Sequence, residues 1–193
     1  MEPRQLIEFL HSSNLVSFSK AQEIAGHFSL KEFAKNDLVL KEGQISNEYI
    51  FLQKGFIRSF AHDLDANDIT TNFYSEGKMV FEVHSFFNRS RSKENIQALT
   101  NCTTWYITYE QLNFLFHSIY EFREFGRSIL VKGFSDLKNR MLSTITEPAE
   151  ERYATLLKNN PEIFEHAPLK YIASYLGITD TSLSRIRKEF SKK

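Results

Sequence analysis

The sequence predicts an α+β chain in three successive parts: an antiparallel β-domain, one long helix, and a terminal pair of crossed helices. Three observations predict it. Short β-rich runs separated by turn residues occupy residues 30–108. Apolar residues at helical spacing run on from about residue 118 to 145. The stretch YIASYLGITDTSLSRIRKEF, Tyr171–Phe190, sets a glycine between two apolar-periodic segments, the pattern of a helix-turn-helix.

Composition allows this architecture and removes others. The 193 residues hold one large domain or two small ones. Eighteen Phe against a single Trp imply a large aromatic core. No apolar run reaches the ~18 residues of a membrane span. The start, MEPRQLIEFLHSS, is polar and periodic, unlike a signal peptide. The single cysteine, Cys102, permits no intrachain disulfide and no iron–sulfur cluster. A reducing cytoplasm is the expected setting. Lys plus Arg and Asp plus Glu both number 24, so net charge is uninformative. The last residues are not neutral: Arg185, Arg187, Lys188, Lys192 and Lys193 face only Glu189.

Taken in order, PRQLIEFLHS (3–12) and FSKAQEIAGHFS (18–29) have helical spacing, with Ser17 or Ser19 placed to cap the second. The β-rich runs are LKEFA, DLVLK, EYIFLQ, FIRSFAHD, ITTNFYS, NIQAL and TTWYIT. Turn residues divide them, among them Glu42-Gly43, Lys54-Gly55 and Asp65-Ala66-Asn67-Asp68. No helical pattern separates the runs, so an antiparallel sandwich or barrel is expected rather than parallel βαβ units. Tyr109-Glu110-Gln111-Leu112 opens a short helix. In the long helix, Phe122, Phe125 and Ile129 form one apolar row. Leu130, Phe134, Leu137, Met141 and Ile145 follow at spacings close to a coiled-coil seam. About 40 Å of helix is too long to lie against one small barrel, so pairing with a second copy is expected; a core helix is the plainer alternative. A helix from Pro148 to Lys158 and a Pro-marked loop come next.

The terminal element is read as follows. A first helix spans about Leu169 to Leu176, and Gly177 ends it in a left-handed conformation. Thr179 or Asp180 caps the second helix. Ile172, Leu176, Ile178, Leu183 and Ile186 bury the inner faces, and Ala173 leaves room for the crossing. The outward face is Asp180, Thr181, Ser182, Ser184, Arg185 and Lys188. Recognition helices present such residues to base edges in the major groove. Arg185 suits guanine O6/N7. Ser182 and Ser184 suit bases or phosphates, and Arg187, Lys188 and Lys170 suit the phosphate backbone. Thr179 and Thr181 complete the expected DNA-binding set.

With these residues in view, the chain resembles the Crp/Fnr superfamily of bacterial transcription regulators along nearly its whole length. KEGQISNEYIFLQKGFIRSF is similar to the stretch around the second hairpin of that family's β-roll. EERYATLLKNNPEIFEHAPLKYIASYLGITDTSLSRIRK resembles the DNA-binding half of Bacteroidetes-type members. The resemblance implies an N-terminal double-stranded β-helix (a cyclic-nucleotide-binding-like jelly-roll), a long dimerisation helix and a C-terminal winged helix-turn-helix. The parts are then 1–117, an effector-sensing β-roll with flanking helices; 118–145, the dimerisation helix; and 146–193, the DNA-binding domain. Only Ser191-Lys192-Lys193 follow Phe190, so a truncated wing is expected. Implied partners are double-stranded DNA, a second copy of the chain and RNA polymerase, with no membrane.

The same resemblance locates an effector pocket. Its family pattern is a Phe-Gly-Glu turn, then Arg followed by Ser or Thr and Ala. Here the region reads GKMVFEVHSFFNRSRSKENIQAL. Glu82 matches the Glu, but Phe81 stands where the glycine belongs. The arginine position falls on Ser92, with Arg91 one residue off. Arg89, Arg91 and Lys93 keep the region cationic, which leaves two expectations: a small anionic effector held by Glu82, Arg89, Arg91 and Ser92, or a solvated loop on a β-roll that has lost its nucleotide site. Tight cyclic AMP binding is not expected.

Other chemistry is sparse. Glu82 and His84 are expected to share a strand face, but two ligands make no metal site. The six His are scattered, Cys102 reads as buried, and no nucleophile–base motif or phosphate-binding glycine loop is present, so an enzyme is not expected. The other reading of the chain is a ligand-sensing or scaffold module whose last helices contact protein.

Overall fold

Two amphipathic helices, Arg4–Ser12 (α1) and Phe18–Ala25 (α2), open the chain in the computed structural model, which describes residues 2–191. Lys192 and Lys193 of the basic tail lie outside the described residues. Of the two serines placed to cap α2, Ser17 does so, its Oγ accepting the Lys20 N–H at 3.3 Å.

The β-domain contains Ser29–Phe33 (β1), Leu38–Leu40 (β2), Glu48–Lys54 (β3), Ile57–His62 (β4), Asp68–Tyr74 (β5), Lys78–Val80 (β6), Asn95–Ala98 (β7) and Cys102–Thr108 (β8), with the short helix Val83–Asn88 (α3) between β6 and β7. They pair antiparallel in two four-stranded sheets, ordered β1-β8-β3-β6 and β2-β7-β4-β5. Each of the seven runs read from the sequence forms a strand. The eighth, β6, has three residues, too few to show alternation. Between the sheets Leu52, Ile57, Val80, Ile96 and Ala98 are fully or almost fully buried. The Lys54-Gly55 turn requires its glycine. Gly55 has φ +109°, and a Cβ there would sit 2.7 Å from the Asn101 carbonyl oxygen and from Cys102 Sγ.

A second core forms where α1 and α2 cover Phe51, Trp105 and Ile107. Thr108 and Gln111 form a capping box that starts Tyr109–Ser118 (α4). Ile119 is extended and breaks the helix, and Tyr120–Thr146 (α5) follows with 27 residues. The two halves of α5 differ. Phe122 and Phe125 are buried in the second core, whereas Phe134 is 69% exposed and Ile145 73%. The residues spaced as a coiled-coil seam are all exposed, and so are Val131 and Leu142 beside them.

Four helices follow among the described residues: Ala149–Asn159 (α6), Glu162–His166 (α7), Leu169–Tyr175 (α8) and Asp180–Phe190 (α9). α7 lies in the segment expected to be a loop; Pro161 starts it, and burial of Ile163 gives so short a helix a reason to form. The core of this unit joins Tyr153, Leu156, Ile172, Leu183 and Ile186, and it takes in Phe56 and Leu99 of the β-domain. The C-terminal unit is therefore packed on the β-roll, not hung from α5 alone.

Candidate nucleic-acid interface

The turn between α8 and α9 is built as its residues demand. Gly177 has φ +67°. Its N–H donates to the Ser174 carbonyl at 3.1 Å, and the Ile178 N–H reaches back to Ala173 at 3.0 Å. These two bonds make a Schellman close, which satisfies carbonyls the helix leaves open. Ala173 is fully buried at the crossing. Of the two candidate caps for α9, Thr179 is the one used: its Oγ1 accepts the Ser182 N–H at 3.2 Å and lies 3.0 Å from Ser182 Oγ. Asp180 becomes the first helical residue, where a carboxylate meets the positive end of the helix dipole.

Leu183 and Ile186 face inward, which leaves Thr181, Ser184, Arg185, Arg187 and Lys188 exposed on α9. Ser182 is half-buried beside its cap. Lys170 is exposed on α8, its Nζ 4.9 Å from the Tyr171 ring centre. The face thus carries hydroxyls near the start of α9 and cations along it, over an apolar underside. That is a surface able to read base edges and to neutralise phosphates.

The four effector candidates are brought to one side of the β-roll, but each already has intramolecular partners. Glu82 is the N-cap of the short helix Val83–Asn88 (α3), accepting from the backbone N–H groups of His84 at 3.0 Å and Ser85 at 2.6 Å. The expected strand face shared by Glu82 and His84 is therefore incorrect. The local N–H groups use the carboxylate as a cap, and His84 lies in the helix, 3.0 Å from the Asn88 amide. Arg89 adopts a left-handed φ of +53°. Its guanidinium donates to the Ser46 carbonyl at 3.0 Å and to Asn47 Oδ1 at 2.7 Å, and lies 4.1 Å from the Tyr109 ring centre. Arg91 donates to the Gly43 carbonyl at 3.0 Å. Ser92 is buried, its Oγ donating to the Glu94 carbonyl at 2.7 Å and accepting the Glu94 N–H at 3.0 Å.

Phe81, at the glycine position, plugs the roll. Its ring centre lies 4.7 Å from Tyr49 and 5.6 Å from Phe86. A cavity of about 160 Å³ between the sheets is lined by Lys31, Ser46, Glu48 and Phe81 among others, and by none of the four candidates. Burial raises the Glu94 carboxyl above its ordinary range; nearby Glu82 adds to the shift, while a Thr71 hydrogen bond and Arg140 oppose it. No group of three metal-ligating side chains occurs among the described residues. Nor is any helix there long and apolar enough to cross a membrane.

Residues 30–118 match the cyclic nucleotide-binding domain family. No curated protein matches the sequence. Among solved structures, FixK2 from Bradyrhizobium japonicum aligns with a TM-score of 0.74 at 15% identity, over 86% of this chain and 85% of that one. A protein described as a crp/fnr-family transcriptional regulator from Eubacterium rectale aligns at 0.73 and 14% identity, over 95% and 88%. The chain has the Crp/Fnr regulator fold. The c-di-GMP responsive global regulator CLP from Xanthomonas campestris shares that fold, with a TM-score of 0.68 at 18% identity over 86% and 88% of the two chains.

One cluster escaped the sequence reading altogether. On the outer face of the sheet, β4 carries Arg58, which is only 1% exposed, and α8 lays Tyr171 against it. The signal was present: a charged residue inside the β-rich FIRSF run, next to Phe56, Ile57 and Phe60. The sequence does not say what covers it. In the Crp/Fnr fold seen here, the cover is the helix-turn-helix unit itself.

Proposed function

We propose that the protein is a transcription regulator of the Bacteroidetes-type Crp/Fnr group that binds palindromic DNA as a homodimer through α9. The observation that carries this reading is the exposed hydroxyl-and-cation face of α9 over a buried Leu183–Ile186 underside. Dimerisation is supported by the stripe Leu130, Phe134, Leu137, Met141 and Ile145, exposed on α5 at coiled-coil spacing. Two α9 helices in one dimer would enter successive major grooves, about 34–36 Å apart. RNA polymerase is the further partner a transcription regulator implies.

The β-roll is read as a sensor without tight affinity for cyclic AMP. Phe81 fills the space where a phosphate would approach the backbone, and Glu82, Arg89 and Ser92 are engaged elsewhere. A small anionic effector would have to displace some of those bonds. Calorimetry with cyclic AMP tests this part: no heat at micromolar protein supports it, and a micromolar dissociation constant overturns it. The whole reading is tested by selecting bound sequences from random DNA, then titrating the selected site against salt. A palindromic consensus and a steep loss of affinity with salt are expected. Retention of random sequence alone, or binding indifferent to salt, would refute it.

A further inference from the structure

A buried guanidinium joins the β-roll to the helix-turn-helix unit. Arg58 Nη2 donates to Asp68 Oδ2 at 2.6 Å, and its Nε and Nη2 donate to Gln97 Oε1 at 3.1 and 3.0 Å. These partners all belong to the β-roll, so they fix the plane of the guanidinium before anything else docks. Its central carbon lies 4.0 Å from the Phe60 ring centre and 3.4 Å from that of Tyr171. Two rings that close to one planar cation must occupy opposite faces. Phe60 comes from the same strand as Arg58, whereas Tyr171 comes from α8. The roll therefore presents one open cationic face, and the DNA-reading unit supplies the ring that closes it.

Neighbouring contacts act along the same line. β5 is an edge strand, and an edge leaves N–H and C=O groups unpaired. The Thr70 N–H donates to Ser174 Oγ of α8 at 3.1 Å. The Thr71 carbonyl accepts from Arg140 of α5. Arg140 in turn lies 4.7 Å from the Tyr175 ring centre, and Phe73 stands 5.1 Å from that ring. So β5 is the meeting line of the roll, the long helix and α8. Arg58 Nη1 has no hydrogen-bond partner, and water would satisfy it once α8 moved away. Docking therefore rests on the stack and the edge contacts, beside the apolar core that Phe56 and Leu99 share with the helical unit, against one unpaired donor.

We propose that Arg58 is a positioning residue for DNA reading: stacked on Tyr171, it holds the helix-turn-helix unit on the β-roll in the orientation that exposes α9. With the dock closed, Thr181, Ser184, Arg185, Arg187 and Lys188 remain exposed. Closing it costs none of the DNA-reading surface and removes the freedom of the unit to swing about the Glu147-Pro148 junction. The consequence for affinity rests on the DNA-binding reading above; the dock itself does not.

Two substitutions and two readouts test it in the full chain. Tyr171→Phe keeps the ring, and Tyr171→Leu removes it while staying apolar. Spin labels on cysteines introduced at Asp65 and Glu189, both exposed, report the distance from the roll to α9. Native Cys102 is buried and leaves the labelling clean. With labelled chains diluted in an excess of unlabelled ones, so that a dimer carries one labelled protomer, wild type and Tyr171→Phe should give one narrow intramolecular distance, and Tyr171→Leu a broad distribution. Affinity for the selected DNA should fall about tenfold in Tyr171→Leu, as the competent orientation drops to about a tenth of the population. The salt slope should stay the same, because the phosphate contacts are intact. Arg58→Lys, which keeps charge without the planar stack, should behave like Tyr171→Leu. A narrow distance in Tyr171→Leu, or a tenfold loss in Tyr171→Phe as well, would overturn the proposal. If wild type bound no DNA while the distances still broadened in Tyr171→Leu, the dock would stand and the DNA reading would fall.

Discussion

If two chains pair through α5 as proposed, replacing Phe134 by Glu should break that dimer without unfolding the protomer. The side chain is 69% exposed, so the fold makes little use of it. Its seam neighbours are exposed too: Leu130 37%, Leu137 56%, Met141 53% and Ile145 73%. At about 2 kcal/mol for each fully buried apolar side chain, covering the five would contribute roughly 6 kcal/mol per protomer and about 12 kcal/mol per dimer. Association itself costs about 4–15 kcal/mol, so the seam is of the size needed and has little surplus. Phe134→Glu removes about 1.5–2 kcal/mol from each side, or about 3–4 kcal/mol per dimer. The dissociation constant should then rise by roughly two to three powers of ten, before any penalty for facing carboxylates. Sedimentation velocity over a concentration series measures it, with melting curves to show that the protomer is intact. Lys132→Glu, also on α5 and exposed but on the side away from the seam, is the control. An unchanged dimer in Phe134→Glu, or a wild-type protein that is monomeric at tens of micromolar, would refute the reasoning.

Arg185→Ala should weaken binding to the selected site by about 1–3 kcal/mol, while random DNA loses far less; equal losses on both, in parallel gel shifts, would refute the proposed base-reading role. Glu94→Gln should stabilise the protein at neutral pH. Burial raises the Glu94 carboxyl in the folded state, so the folded chain holds its proton more tightly than the unfolded chain does. The stability this gives is present below the ordinary carboxyl value of 4.5 and is lost as pH rises through the folded value. The gap between variant and wild type should thus close as pH falls to that range; thermal melts at several pH values check it. Gly55→Ala should cost about 2 kcal/mol or more, since it adds a left-handed strain and a Cβ 2.7 Å from Cys102 Sγ. Urea titration measures it, and a loss no larger than that of Gly43→Ala, whose added Cβ meets nothing within 4 Å, would contradict the crowding.

What the sequence determined by itself is what short-range geometry repeats. The alternation of FIRSFAHD and TTWYIT, the 4-3-4-4 seam of α5, and Gly177 between two apolar helices each encode a local period or a local φ. Such signals depend on neighbours a few residues away, so they are readable without the fold. The exposed α9 face follows from the same logic, because Leu183 and Ile186 fix which side is buried. Tertiary structure decided what depends on partners far along the chain. Thr70 meets Ser174 across 104 positions, and Arg89 meets Ser46 across 43. Arg58 is a cation in a strand until Tyr171 covers it. Glu82 looked free for a ligand until α3, six residues long and without a visible period, took its carboxylate as a cap. A side chain's residue type sets what it can bind. Which partner it finds is set by the packing of the sheets and helices around it.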